Sequence, residues 1–140
     1  MDTEEDLHAV EDIRNLVGRY CDALSRLDLH AVGECWIDEG IWTLFDEDIV
    51  GRPAILAAIR ELTTRIDWIV QHANSPVIEI DGDTATGCWQ IAEYARRKSG
   101  AAEGLVHIGR YVDRYVETDD GWRFAARCFE TIHHGTLAAP

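Results

Sequence analysis

The stretch Leu105–Ile132, LVHIGRYVDRYVETDDGWRFAARCFETI, constrains this chain more than any other. Val106, Ile108, Val112 and Val116 alternate with His107, Gly109, Tyr111, Asp113 and Tyr115, which is the two-residue period of a β-strand. Asp119-Asp120-Gly121 supplies a tight turn, because Asp and Gly tolerate the positive φ angles of a hairpin, and Trp122-Arg123-Phe124 begins the return strand. One side of the hairpin is aliphatic and the other aromatic and polar, with Tyr111 and Tyr115 expected to face the interior. Both faces therefore need cover.

The preceding residues supply cover for the aromatic face, and a second subunit is the natural cover for the aliphatic one. Thr3 followed by Glu4, Glu5 and Asp6 reads as a capping box, and Val10, Ile13, Leu16, Val17, Tyr20, Leu24 and Leu27 recur at helical spacing, predicting a helix to about Arg26. Asp28 is placed to cap a shorter helix, Leu29–Trp36, ended by an Asp38-Glu39-Gly40 turn. Ile41–Phe45 reads as a strand, Asp46–Asp48 as a turn and Ile49-Val50 as a brief partner. Pro53 then starts a third helix with Ile55, Leu56, Ile59, Leu62 and Ile66 as its apolar stripe. Trp68–Ile80 and Thr84–Arg97 read as long strands, linked at Asp81-Gly82-Asp83 and joined to the hairpin through Lys98–Gly104, with Pro76 expected to bulge or end its strand locally. The order α-α-β-β-α plus a four-strand antiparallel meander predicts an α+β cone: one domain over residues 1–140, three N-terminal helical segments on the concave face of a strongly curved sheet.

Asp and Glu outnumber Lys and Arg by 26 to 13, so the surface repels phosphate backbones and anionic lipid, and neither nucleic acid nor membrane is an expected partner. Cys21, Cys35, Cys88 and Cys128 lack C-x-x-C or zinc-type spacing and read as small buried hydrophobes. The acidic start MDTEEDLHAVEDI is unlike a signal peptide and there is no apolar run long enough to span a bilayer, so a cytoplasmic home is expected.

GRYVDRYVETDDGWRF, QHANSPVIEIDGDTATGCW and IRNLVGRYCDALSRLDLHAVGECWIDEGIW together resemble the SnoaL-like branch of the NTF2-like superfamily over nearly the whole chain. Within it the pattern is most similar to the cofactor-free lyases scytalone dehydratase, bile-acid 7α-dehydratase and hexachlorocyclohexane dehydrochlorinase. The resemblance implies a cone-shaped pocket, no cofactor, and a homo-oligomer, with a trimer favoured and a dimer next. It places the lyases' catalytic histidine on His72, a helix-one tyrosine on Tyr20, a pocket carboxylate on Glu93, and pocket aromatics on Tyr111 and Trp42. The aspartate that pairs with the histidine falls on Ser25, leaving Asp22, one turn earlier, and Asp28 as stand-ins. Thr131 stands where the bile-acid dehydratase has an arginine, a charge that Arg127 supplies four residues earlier.

The residues themselves bear on these roles. An imidazole removes a proton next to a carbonyl when a partner fixes its tautomer, so His72 is the expected base, Tyr20 an acid or oxyanion donor, and Asp22 or Glu93 the orienting carboxylate. Trp42, Tyr111, Arg127 and Asn74, the last on the same side of its strand as His72, are expected to bind substrate. Plain packing, a strand ion pair and a helix cap are the competing roles. His107, His133 and His134 are too poorly aligned to suggest a metal, since adjacent strand residues point to opposite faces. The expected function is a dehydratase-type elimination on a small apolar cyclic or aromatic metabolite. An isomerase or cyclase using the same pocket, or a non-catalytic ligand-binding module, is the alternative.

Overall fold

The computed structural model describes residues 3–98 and 104–137. Three helices, α1 (Glu4–Ser25), α2 (Leu29–Glu34) and α3 (Arg52–Thr63), accompany six strands: β1 (Trp36–Leu44), β2 (Glu47–Val50), β3 (Ile66–Asp81), β4 (Thr84–Arg97), β5 (Gly104–Thr118) and β6 (Gly121–Leu137). The strands form one sheet in the order β2-β1-β6-β5-β4-β3. All neighbours are antiparallel except β1 and β6. The expected α+β cone is present, and the link at Lys98–Gly104 lies mostly outside the described residues. No described helix is long and apolar enough to cross a membrane.

Helix α1 starts on a complete capping box: the Asp6 amide donates to Thr3 Oγ1 (3.1 Å) and the Thr3 amide to Asp6 Oδ2 (3.3 Å). Its buried stripe, Ile13, Leu16, Val17, Tyr20 and Leu24, lies on the concave side of the sheet. The helix ends in a Schellman motif, with the Leu27 amide donating to the Leu24 carbonyl and the Asp28 amide to that of Ala23, and Leu27 takes a left-handed φ of 55° that glycine normally fills. Asp28 caps α2 by accepting from the Ala31 amide (3.1 Å).

Three boundaries differ from the periodicity. The turn expected at Asp46–Asp48 is Phe45-Asp46, because Glu47 and Asp48 already pair, as part of β2, with Leu44 and Thr43 of β1. Trp36 opens β1 instead of closing α2, and Asp38-Glu39-Gly40 lies within that strand at a bulge, not in a turn. The reason is tertiary: Trp36 is fully buried against Phe124, and the Phe124 amide donates to the Cys35 carbonyl (2.8 Å), locking this stretch to β6. Ile66 begins β3 instead of ending α3, since its side chain is buried in the cavity wall.

Irregularities in the strands decide which residues face inward. In β3 the ladder jumps from Asn74 to Val77, with Ser75 at φ 53° beside Pro76, so odd residues face inward before the bulge and even ones after it. In β6 the register skips Ala125 and Ile132. Gly109 sits opposite the second skip, where an added Cβ would strike the Glu130 carbonyl and the Phe129 ring. Only glycine lets β6 approach so closely there.

Candidate active site

The pairing registers place four polar residues from four adjacent strands in a single lateral row: Gln71 on β3 opposite Glu93 on β4, Glu93 opposite His107 on β5, and His107 opposite His134 on β6. The row crosses the wall of an apolar cavity of about 140 Å³. Tyr20, Leu24, Trp42, Ile59, Ile69 and Phe129 supply much of the remaining lining. The skipped Ile132 puts His134 in the row, because without it His134 would point outward.

The row is wired from one end. The Cys21 thiol donates to Gln71 Oε1 (3.7 Å), which fixes the amide so that Nε2 donates to Glu93 Oε1 (3.0 Å). Glu93 Oε2 lies 3.9 Å from His107 Nδ1, beyond hydrogen-bond reach but within ion-pair distance. His107 Nε2 pairs with Thr131 Oγ1 at 2.9 Å. Burial pushes the Glu93 carboxyl above its ordinary range, while the Gln71 bond draws it back down. Burial, with His134 nearby, lowers the His107 imidazole to about 4, so it is neutral through the physiological range. Burial thus acts on the two groups in opposite senses, strengthening the carboxylate as a base and weakening the imidazole.

Two phenols face the same space. The Trp42 indole donates to the Tyr111 hydroxyl (3.1 Å), leaving the Tyr111 proton free to donate elsewhere, and the Tyr20 hydroxyl has no partner among the described residues. Burial raises both phenols, so they are donors and not phenolates. Behind them lies Arg127, fully buried, its guanidinium 3.8 Å from the Tyr111 ring centre and 4.8 Å from that of Tyr20. Its Nε and Nη2 bind Asp113 at 2.8 and 3.1 Å, and Asp113 also accepts from the Tyr115 hydroxyl (2.7 Å). Asp113 holds Arg127 charged.

The residues expected from sequence divide sharply. Tyr20, Glu93, Trp42 and Tyr111 line the cavity, and Arg127 underlies it. His72 does not reach it. It pairs with Ala92 on the outer side of the sheet, is exposed, and stands edge-on to Tyr94, because alternation along β3 turns Gln71 inward and His72 outward. Asn74 shares that outer side, and both border a separate shallow groove beside α1. Asp22 is exposed and paired with Arg26 (3.0 Å), so it touches neither His72 nor the cavity. Ser25 is exposed with its hydroxyl on the Asp22 carbonyl. Gln71, His107 and His134 are the cavity residues that sequence reasoning passed over. His107 was findable, since it alternates in phase with Tyr111, Asp113 and Tyr115.

A curved sheet closed by helices around one apolar cavity with a polar row in its wall is an NTF2-like fold. The chain belongs to the SnoaL-like domain family, whose profile matches residues 5–128. Comparison with curated protein sequences found no match. Among solved structures, a candidate scytalone dehydratase from Novosphingobium aromaticivorans superposes with a TM-score of 0.90 at 16% identity, over 99% of this chain and 94% of that one. Hexachlorocyclohexane dehydrochlorinase LinA-type3 from Novosphingobium barchaimii LL02 gives 0.84 at 15% identity, over 96% and 93%. A protein of unknown function from Mycobacterium tuberculosis gives 0.82 at 25% identity, over 91% and 74%.

Proposed function

We propose that this protein is a cofactor-independent lyase that eliminates water from a small, uncharged cyclic β-hydroxy ketone, with Glu93 and His107 as its proton-transfer pair. One observation carries the reading: a carboxylate and a neutral imidazole face each other at 3.9 Å in an otherwise apolar cavity that two phenol donors also line. A cavity of about 140 Å³ suits a single ring, being comparable to one that takes up benzene. The family membership and the dehydratase and dehydrochlorinase among similar folds support small-molecule lyase or isomerase chemistry.

In this mechanism Glu93 takes the proton from the carbon next to the carbonyl, and the electron pair moves onto the carbonyl oxygen. Tyr111 and Tyr20 donate to that oxygen where its negative charge develops. The enolate then re-forms its carbonyl as the β carbon–oxygen bond breaks, and the departing hydroxyl takes a proton from His107, which has received it from Glu93. Burial raises the carboxyl, which makes Glu93 a stronger base toward carbon, and lowers the imidazole, which makes protonated His107 a stronger acid toward the departing hydroxyl. Arg127, stacked behind the phenols, makes them better donors.

Isomerisation is the second reading. It is favoured by Glu93 being the one carboxylate in the cavity lining among the described residues, since a single base suffices to lift a proton and return it to another carbon. The test is a panel of small cyclic β-hydroxy ketones and unsaturated ketones in D₂O, followed by NMR. Elimination gives an enone with loss of the hydroxyl, and isomerisation gives a moved double bond carrying deuterium. Both should vanish in Glu93→Gln. Turnover that survives intact in Glu93→Gln and in His107→Gln overturns the assignment of this pair.

A further inference from the structure

The loop joining β1 to β2 has two residues, Phe45 and Asp46, with φ of 51° and 62°. These are the angles of a type I′ hairpin turn, which Asn and Gly fill at little cost, whereas a bulky aromatic at positive φ is strained. The strain has a visible result. Phe45 lines the cavity yet is 56% exposed, so it stands at the mouth. Its ring lies parallel to the His107 imidazole, 5.5 Å between centres and 7° between planes, and tilts against His134 at 5.7 Å. His107, for its part, has only 12% of its side chain exposed. Phe129, at 4.3 Å, and His134, at 4.8 Å, cover the imidazole from the sheet, and Phe45 covers it from the turn.

Strained backbone persists where the surroundings over-determine it, and here it holds an aromatic lid over a proton-transfer group. We propose that Phe45 is the gate and a specificity-determining residue of the cavity, giving way to uncharged rings whose flat, unsaturated part restores the stack on His107 which it leaves. This rests on the cavity being the substrate site. A flat unsaturated ring recovers the face-to-face contact, whereas a saturated ring of equal size presents its edge hydrogens to the imidazole. Charge points the same way: among the described residues the lining includes Glu93 but neither Lys nor Arg, and the Arg127 charge behind it is taken up by Asp113, so an anion would enter unpaired.

The gate is testable without turnover, so its failure is distinct from failure of the proposed chemistry. Diethylpyrocarbonate ethoxycarbonylates neutral imidazoles, and mass spectrometry resolves each site. The exposed His72 serves as an internal reference within the same molecule. In the unaltered protein His107 should react at least tenfold more slowly than His72. Phe45→Asn, which suits the turn, should raise the His107 to His72 ratio about tenfold with the melting temperature unchanged or higher, and Phe45→Tyr should leave the ratio low. A ratio unmoved in Phe45→Asn, or a rise accompanied by a lower melting temperature, overturns the gate. Phenol should slow the reaction at His107 in the unaltered protein, and cyclohexanol at the same concentration should not. Equal protection, or none from either, overturns the preference for planar rings.

Discussion

Gln71 and His72 are successive residues that look out on opposite sides of one sheet: the Gln71 amide donates to Glu93 inside the cone at 3.0 Å, while His72 stands beside Tyr94 outside it. This division makes a first prediction. Gln71→Leu should lower turnover of an identified substrate, because it strips Glu93 of its one side-chain donor, whereas His72→Ala should leave turnover within about twofold, as expected of a surface change. Parallel kinetics on the two variants decide it; a large loss in His72→Ala would return the base to the outer groove.

The pH dependence follows from the same row. Glu93 must be ionised to accept a proton, and burial raises its carboxyl above the ordinary 4.5, so activity should climb with pH along a limb displaced upward from the usual carboxylate range. His107, neutral above about 4, adds no limb between pH 5 and 8. Gln71→Leu removes the bond that draws the Glu93 carboxyl down and should push the limb higher still. A kcat profile against pH for both proteins gives the sign directly, and a downward move in Gln71→Leu contradicts it.

Acid should weaken the fold through His107. Its folded-state affinity lies near 4, below the 6.5 of a free imidazole, so between those values the unfolded chain binds the extra proton and stability falls as pH falls. Glu93 acts in the opposite sense above 4.5, where the folded state holds the extra proton and stability falls as pH rises. Urea titrations should therefore show His107→Gln losing less stability than the unaltered protein between pH 6.5 and pH 4.

The Arg127–Asp113 pair sets a separate stability test. Arg127→Met leaves the Asp113 carboxylate buried without its charge partner and should cost about 3–5 kcal/mol. Changing both residues to apolar ones should cost less than the single change, because no lone charge remains. Chemical denaturation of the single and double variants measures the difference.

Leu27 gives a gain instead of a loss. It holds the left-handed position of the α1 Schellman motif, so Leu27→Gly should stabilise the protein by about 1 kcal/mol. A lower melting temperature for this variant would show that the Leu27 side chain contributes more through packing than its backbone conformation costs.

Much of the architecture was legible in the sequence, because capping residues, helical stripes and two-residue alternation are local signals. The capping box at Thr3, the Asp28 cap, the bulge at Pro76 and the long hairpin all follow from neighbours a few residues apart. What was not legible depends on partners far along the chain. Trp36 left its helix because Phe124 captured it, and His134 turned inward because the register at Ile132 slips against Gly109. Family likeness brought Tyr20, Glu93, Trp42 and Tyr111 to the cavity but put the histidine at His72, which faces outward beside the inward Gln71, and on a strand one residue is the whole thickness of the sheet. His107 and Gln71 emerge only when the strands are laid side by side.

The outer face of the sheet carries exposed Trp68, Val77 and Val112, and a second subunit remains its proposed cover. Sedimentation at micromolar concentration should find a homo-oligomer, and Val112→Asp should dissociate it. A monomer in the unaltered protein removes this proposal.

The parallel contact between β1 and β6 joins a strand made early to one made about eighty residues later. A ribosome releases α1, α2 and β1 long before their partner exists, so Tyr20 and Trp36, both later packed on Phe124, travel through most of translation with greasy surfaces uncovered. Closure of so distant a contact is entropically slow. The newborn chain is therefore most open to aggregation and proteolysis in the interval between the exit of α1 and the arrival of β6.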